Sequence, residues 1–273
     1  MSEVLCAIED WPVGTAAAAV IGPSGPLETA GPVDEPFPLA SVTKPLAALA
    51  ILVAVEEEAV TLDDPVDEAL LPGATLRHLL AHASGIAPER PLRSFAPGQR
   101  RVYSNAGIEL AAELVARATD IPFEQYFTDA LVRPLRLTGT SLPGSPARDG
   151  VATVADLARV VHELLSPTGL LSAPMLHDLA SVQYPGLRGV LPGWGMRDPN
   201  DWGLGFEIRG DKSPHWTGTA NSPATYGHFG QSGTFLWVDP VARLGLVALT
   251  DRDFDEWART AWPALSDAVL AAY

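Results

Sequence analysis

Apolar residues in the middle of the chain follow helical patterns. Residues 41–58 are apolar at most positions until three glutamates end the run, which predicts a long helix buried on most sides. Apolar residues recur every three to four positions over 105–120 and 122–135, as on one face of a helix. Thr153, with Asp156 three residues later, predicts the capped start of a helix over 153–167. The pattern also predicts shorter helical pieces within 61–86 and over 172–182.

The two ends of the chain carry strand patterns. Apolar segments at 15–22 and 27–31 flank a Pro/Gly turn, which predicts a hairpin. Beyond residue 190 three segments rich in Gly, Val, Leu and aromatic residues predict antiparallel strands: 202–210, 227–240 and 243–252. We expect a short helix over 2–10 with Ser2 as its N-cap, and a C-terminal helix over 256–273 bent at Pro263.

This order of elements predicts an α+β fold, with an antiparallel sheet and a helical insertion. Residues 1–62 and 188–273 would form a sheet-and-helix domain built from both termini. Residues 63–187 would form a mainly helical domain, and the active-site cleft would lie between the two.

Composition and charge narrow the class of function. The chain has 273 residues, of which 47% are hydrophobic and 19% are charged, as in a globular protein with a sizeable core. A net charge of −15 argues against nucleic acids and anionic membranes as partners. The N-terminal region has neither a basic segment nor an apolar run long enough to span a membrane, so we expect a cytoplasmic protein. Cys6, the single cysteine, is expected to be a buried apolar residue.

Ser41 and Lys44 form an S-x-x-K motif where the long apolar helix should begin. Residues three apart share a helix face, and the helix N-terminus offers free N–H groups. A serine hydroxyl needs a base, and a lysine can be that base only if its pKa is depressed. Only two of the 18 basic residues are lysines, Lys44 and Lys212. Such a motif also arises by chance, and a lysine near a helix start usually extends to solvent.

Two further short motifs change that balance. Tyr103 and Asn105 form Y-x-N just before a predicted helix, where a phenol can pass protons and an amide can hold a carbonyl. His228 and Gly230 form H-x-G at a predicted strand. The glycine would allow a substrate to lie close to an edge strand, and the N–H of Gln231 could join that of Ser41 in binding an oxyanion.

In this order the three motifs resemble those of the serine β-lactamase and penicillin-binding protein superfamily. The Y-x-N and H-x-G elements are most similar to the class C β-lactamase and family VIII carboxylesterase branch. The resemblance extends over nearly the whole chain, through segments such as "LRHLLAHASGI", "APGQRRVYSNAGIELAAELV" and "GHFGQSGTFLWVDP". It implies a β-lactamase/transpeptidase-like fold with a helical domain and a site in the cleft.

The resemblance also implies a role for each motif residue. Ser41 would be the acylated nucleophile, and either Lys44 or Tyr103 would take its proton. Tyr103 would also protonate the leaving group, and Asn105 would orient the substrate and Lys44. His228 would stand where many relatives have a lysine. The N–H groups of Ser41 and Gln231 would form the oxyanion hole beside Gly230.

These residues predict a cofactor-free serine hydrolase that acts on a small or medium ester or amide. H-x-G in place of K-T-G removes a fixed cation that would bind the carboxylate of a β-lactam or a D-Ala-D-Ala peptide. The alternatives are an acyltransferase using the same nucleophile, a β-lactamase or D-Ala-D-Ala carboxypeptidase, and a binding protein without catalysis. The oligomeric state is left open.

Other candidate groups carry less weight. His78 and His82 could share a helix face, but no H-E-x-x-H motif is present, so we expect no metal site. Trp194, Trp202 and Trp216 could line an acyl pocket or anchor loops and core.

Overall fold

The computed structural model describes residues 3–273. Its strands are β1 (Ala16–Gly22), β2 (Gly25–Ala30), β3 (Phe37–Pro38), β4 (Val151–Ala152), β5 (Gly189–Leu191), β6 (Gly195–Arg197), β7 (Glu207–Ile208), β8 (Tyr226–Gly230), β9 (Thr234–Asp239) and β10 (Leu244–Thr250). Its α-helices are α1 (Thr43–Glu56), α2 (Leu76–Leu80), α3 (Asn105–Thr119), α4 (Phe123–Phe127), α5 (Val154–Leu165), α6 (Ala173–Leu179) and α7 (Glu256–Ala272). There are 3₁₀ turns at Val4–Asp10 and Ala40–Val42, and a π-helical turn at Thr128–Val132.

Six antiparallel strands form the main sheet in the order β2-β1-β10-β9-β8-β7. The inner strands of the sheet are buried on both faces, whereas much of the edge strand β2 is exposed. Successive side chains of β1 point to opposite faces. Ala17, Ala19 and Ile21 pack with α1 and α5 on one face. Ala18 and Val20 pack with α7 and the N-terminal turn on the other face. The predicted α+β class, with an antiparallel sheet made from both ends of the chain, is confirmed.

Helix α1 runs through the larger core. Every residue from Thr43 to Ala54 is buried, including the side chain of Lys44. Gly205, in the loop before β7, packs directly against Ala48 of this helix, and its N–H donates to the Leu80 carbonyl 2.9 Å away. The helix that carries Lys44 is therefore clamped between the sheet and neighbouring loops.

Two strand predictions were too long. Residues 227–240 form two strands rather than one, because the chain turns at Gly233, which has a φ of +79°. The N–H of Gly233 donates to the Gly230 carbonyl across this turn. Within 202–210 only Glu207–Ile208 is a strand. The preceding loop approaches Leu179 at Gly203 and Ala48 at Gly205 too closely for side chains at those positions.

Three predicted helices differ in how closely the structure follows them. The N-terminal segment is a 3₁₀ turn, and the predicted Ser2 cap lies outside the described residues. Thr153 caps α5 as predicted and accepts a hydrogen bond from the Asp156 N–H. Helix α7 continues through Pro263 as one element.

The two-domain division stays a prediction. Helix α5, which falls within the predicted helical segment 63–187, packs on the sheet at Gly245, where Val161 takes the space of a side chain. No helix in residues 3–273 combines the length and the hydropathy needed to cross a bilayer.

The contact between Gly205 and α1 gives a prediction about stability. Gly205 and Gly195 both have a φ of +82°, but a methyl group at Gly205 would overlap Ala48, whereas Gly195 faces open space. Gly195→Ala should cost about 1 kcal/mol of unfolding free energy through backbone strain alone. Gly205→Ala should cost about 1–3 kcal/mol more through overpacking. Equal losses in urea unfolding would contradict this account.

Candidate active site

Ser41 lies in the 3₁₀ turn that leads into α1. Ala40, the residue before it, adopts a left-handed backbone with a φ of 45°, which non-glycine residues seldom do without tertiary support. That support includes the Thr234 hydroxyl on β9, which donates to the Leu39 carbonyl at 2.9 Å. The β8–β9 hairpin thus holds the turn that presents Ser41.

Lys44 is fully buried below Ser41. Its Nζ lies 3.2 Å from Ser41 Oγ, 2.6 Å from Asn105 Oδ1 and 2.8 Å from the Ala147 carbonyl oxygen. Burial lowers the pKa of Lys44 to about 7, because an ammonium loses its hydration there. An amine with this pKa is substantially unprotonated at neutral pH and then has a lone pair for the Ser41 proton.

Asn105 is held in one orientation at the start of α3. The helix is capped by Ser104, whose Oγ accepts from the Gly107 N–H at 3.0 Å. The Asn105 side-chain nitrogen lies 2.7 Å from Glu89 Oε1, an obligate acceptor when ionised, so the amide oxygen must face Lys44. Glu89 in turn pairs with Arg148 at 3.2 Å.

Tyr103 covers the other side of the lysine. Its ring centroid is 4.6 Å from Lys44 Nζ, and its ring packs against His82, Trp202 and His228. Burial raises the pKa of Tyr103 above its ordinary value, and a hydrogen bond with Ser41 only partly opposes this. The phenol therefore keeps its hydrogen at neutral pH.

His228 is a buried neutral imidazole. Its Nδ1 lies 2.7 Å from the Phe229 carbonyl oxygen, which can only accept, so we assign the hydrogen to Nδ1. Burial lowers the pKa of His228 to about 3, and the charge of nearby Lys44 contributes a smaller part of this decrease. Nε2 has no hydrogen-bond partner within residues 3–273. His228 thus offers an acceptor where the resemblance led us to look for the counterpart of a lysine.

Gly230 and Gln231 end β8 beside the Ser41 turn. A side chain at Gly230 would overlap the Leu39 carbonyl, so glycine is needed for the turn to approach the strand. The Gln231 carbonyl accepts from the Phe254 N–H at 2.7 Å, and its side-chain amide donates to the Phe254 carbonyl at 3.1 Å. These bonds fix the backbone of Gln231, which lines the same cavity as Ser41.

One cavity of about 70 Å³ brings four of the predicted residues together: Ser41, Tyr103, His228 and Gln231. Lys44, Asn105 and Gly230 do not line it. Lys44 contacts Ser41, Asn105 contacts Lys44, and Gly230 directly precedes Gln231 in the chain. The arrangement combines a serine hydroxyl, a buried amine and a phenol that retains its hydrogen. It can therefore deliver a nucleophile to a carbonyl and return a proton to the group that leaves.

Glu207 on β7 also lines the cavity, and sequence reasoning missed it. Its carboxylate bonds Lys212 Nζ at 2.6 Å, His215 Nε2 at 3.0 Å and Trp216 Nε1 at 2.9 Å, and all these groups are buried. Desolvation alone would raise the pKa of Glu207. The interactions with His215 and Lys212 outweigh it and lower the pKa to about 2. The one available signal was Lys212, the second of only two lysines.

The other histidine, tryptophan and cysteine residues singled out in the sequence lie in different environments. His78 accepts from Thr75 at the start of α2, whereas the His82 ring packs at a tilt against Tyr103, so the two rings serve different neighbours. Trp202 lines the cavity. Trp194 instead packs against Phe254, and Trp216 binds Glu207. Cys6, expected to be buried, is exposed because it lies on the outer side of the N-terminal turn.

Proteins with different activities share this fold. LovD from Aspergillus terreus, a simvastatin synthase, is 20% identical, with a TM-score of 0.83 over 100% of this chain and 99% of LovD. EstCE1, "a hydrolase with promiscuous acyltransferase activity", is 18% identical, with a TM-score of 0.79 over 98% and 96%. Identities this low establish the fold alone.

Among curated proteins, a "putative D-alanyl-D-alanine carboxypeptidase" from Salmonella heidelberg is 26% identical over 58% of this chain. The match covers 46% of the relative, so the chain spans about half the length of the curated relatives it matches.

Two further comparisons identify the family of this chain. The structure of a β-lactamase from Mycobacterium bovis is 55% identical over 99% of each chain, with a TM-score of 0.96. The family model named β-lactamase matches residues 13–270. The suspected relationship is confirmed, and the chain belongs to the β-lactamase family.

Proposed function

We propose that this member of a family of serine hydrolases hydrolyses a small or medium ester through an acyl-enzyme on Ser41. The observation that carries the proposal is the buried Lys44 amine, 3.2 Å from Ser41 Oγ and with a pKa of about 7. A lysine in this state can accept a proton at neutral pH, which an arginine in the same place could not do.

Acylation would use the residues around the cavity in sequence. Unprotonated Lys44 takes the Ser41 proton as Oγ bonds to the ester carbonyl carbon, and the carbonyl electrons move to the oxygen. The N–H groups of Ser41 and Gln231 hold the resulting oxyanion. The bond to the leaving oxygen then breaks as Tyr103 gives that oxygen its proton, and Lys44 re-protonates the phenolate. Water then attacks the acyl carbon as unprotonated Lys44 takes one of its protons. The bond between that carbon and Ser41 Oγ breaks, Oγ regains the proton from Lys44, and the acid leaves.

The pKa values of Tyr103 and Lys44 favour Lys44 as the first group to accept the Ser41 proton. The pKa of Tyr103 is raised by burial, so little phenolate exists at neutral pH. The pKa of Lys44 is lowered by the same burial, because desolvation disfavours the charged form of each group. Asn105 and the Ala147 carbonyl keep the amine pointed toward Ser41.

β-Lactam hydrolysis is the second candidate, since the relative from Mycobacterium bovis, which is 55% identical, is called a β-lactamase. The neutral His228 argues against a strong activity of this kind. It provides no cation beside the nucleophile for the carboxylate of the antibiotic. Its Nε2 is buried and has no partner within residues 3–273, so it adds no charge at this position.

Ser41→Ala should reduce hydrolysis of p-nitrophenyl butyrate by at least about a thousandfold, because the nucleophile is lost. The control is Ser181→Ala, an exposed serine whose hydroxyl bonds only the His177 carbonyl. Both variants and the wild type are also assayed with a chromogenic cephalosporin. Cephalosporin turnover far above ester turnover would contradict the esterase proposal and support the second candidate. Full ester hydrolysis by Ser41→Ala would contradict the nucleophile.

The rate should also depend on pH in a defined direction. Below about pH 7 Lys44 is protonated and cannot accept the Ser41 proton, so kcat/KM should fall about tenfold per pH unit. Above pH 7 it should level off. Tyr103→Phe should lower the rate but keep this inflection, because the inflection belongs to the lysine. A rate that is flat between pH 5 and 9 would exclude Lys44 as the base.

A further inference from the structure

A larger groove of about 380 Å³ adjoins the catalytic cavity. The two share Tyr103 and Pro192 as lining residues, whereas Ser41, His228 and Gln231 face only the smaller cavity. The groove therefore opens on the side of the nucleophile where the phenol lies.

The walls of the groove are locked together before any ligand arrives. One wall comes from within residues 88–103 and the other from within 188–196. The Arg101 N–H donates to the Arg188 carbonyl at 3.0 Å, and Gly189 packs so closely on the Arg101 backbone that a side chain would overlap it. The Arg101 guanidinium is buried and donates to the carbonyls of Ala81 and Asn200. The groove is thus preformed, which reduces the entropy that a ligand loses on binding.

The surface of the groove is apolar at one end. Val190 and Met196 form a cross-strand pair on the β5–β6 hairpin, and their side chains remain 52% and 55% exposed. Phe95 also lines the groove, and the Arg100 guanidinium lies 5.0 Å from the centroid of its ring. An exposed apolar pair beside an active site indicates a contact surface for an apolar ligand.

The same walls are positively charged in a strongly acidic protein. Although the chain has a net charge of −15, segments 88–103 and 188–196 contain five arginines and a single acidic residue, Glu89. Glu89 is already bonded to Asn105 and Arg148. Arg100 and Arg188 line the groove, and neither has a carboxylate partner within residues 3–273. Two arginines are therefore available to bind an anion.

We propose that this groove binds the leaving alcohol of the substrate, and that this alcohol is an apolar group with an anionic end held by Arg100 and Arg188. The inference rests on the proposed function, in which Tyr103 donates a proton to the leaving oxygen. That oxygen must lie at the phenol, so the rest of the alcohol extends along the wall that Tyr103 shares with the groove. Run in reverse, the same groove would hold an alcohol that accepts the acyl group from Ser41.

A matched pair of esters tests the charge preference. One is 3-(4-butyryloxyphenyl)propanoate, and the other is the corresponding propanamide, so that the acyl group and the phenol are the same and only the distant charge differs. The wild type should prefer the anionic ester in kcat/KM by about fivefold at low salt. The preference should shrink at high salt, because both arginines are accessible to ions.

Variants assign the preference to the groove. The double variant Arg100→Gln/Arg188→Gln should reduce the ratio between the two esters to about one, while hydrolysis of the neutral ester stays close to that of the wild type. Arg117→Gln is the matched control, because this arginine is exposed near the far end of α3 and pairs only with Glu113. A ratio unchanged in the double variant would overturn the inference, while Ser41-dependent turnover would still support the proposed function.

A binding measurement keeps the two proposals separable. Calorimetry compares 3-(4-hydroxyphenyl)propanoate with its amide on the wild type and on the double variant. If neither ester is hydrolysed, but the carboxylate binds about fivefold more tightly than the amide and the double variant loses this difference, the groove stands and the proposed function fails. Equal binding of the two compounds by the wild type would overturn the groove.

Discussion

The burial of one amine constrains the whole site. Helix α1 is enclosed along most of its length, so Lys44 cannot extend to water as lysines near helix ends usually do. Its Nζ must then find partners inside the protein, since an unpartnered buried amine is costly. The partners are Ser41, Asn105 and the Ala147 carbonyl, from three separate segments. The geometry that satisfies the amine is the geometry that gathers the site.

The same burial sets the charge of the surroundings. A protonated lysine in a dry site would be destabilised further by cations, and the nearest rings are uncharged. His228 is neutral and Tyr103 keeps its hydrogen. The Glu207 carboxylate is paired with the buried Lys212 and hydrogen-bonded to His215, whose pKa is lowered by burial. The cavity around Ser41 is thus suited to a neutral carbonyl group, and the available positive charge lies farther out, along the groove.

The sheet supplies the rigid part of this arrangement. Strands β8 and β9 are buried along their whole length and form the hairpin that places His228, Gly230 and Gln231. The hydroxyl of Thr234 on β9 donates to the turn before Ser41, so this turn is tied to the start of the strand. This coupling explains how Ala40 can hold a left-handed backbone conformation directly before the nucleophile.

Local patterns were sufficient for much of the fold. Periodicity and caps identified α1, α3 and α5, because an apolar face and a capping side chain are encoded within a few residues. The same reasoning joined β8 and β9 into one strand. Their turn depends on the positive φ of Gly233, and no Pro or Asn-Gly signal marks it. The prediction that Cys6 is buried was wrong. Residue type alone does not tell which side of a short turn faces solvent.

The sequence by itself determined the elements of the chemistry: the i, i+3 spacing of Ser41 and Lys44, the Y-x-N and H-x-G motifs, and the absence of a fixed cation at His228. Tertiary structure alone decided that Ala147 is a partner of Lys44, that Glu207 lines the cavity and that Arg100 and Arg188 line one groove. Lys44 and Ala147 are 103 positions apart, and Arg100 and Arg188 belong to different loops. Local propensity carries no information about such pairs, because packing of whole elements brings them together.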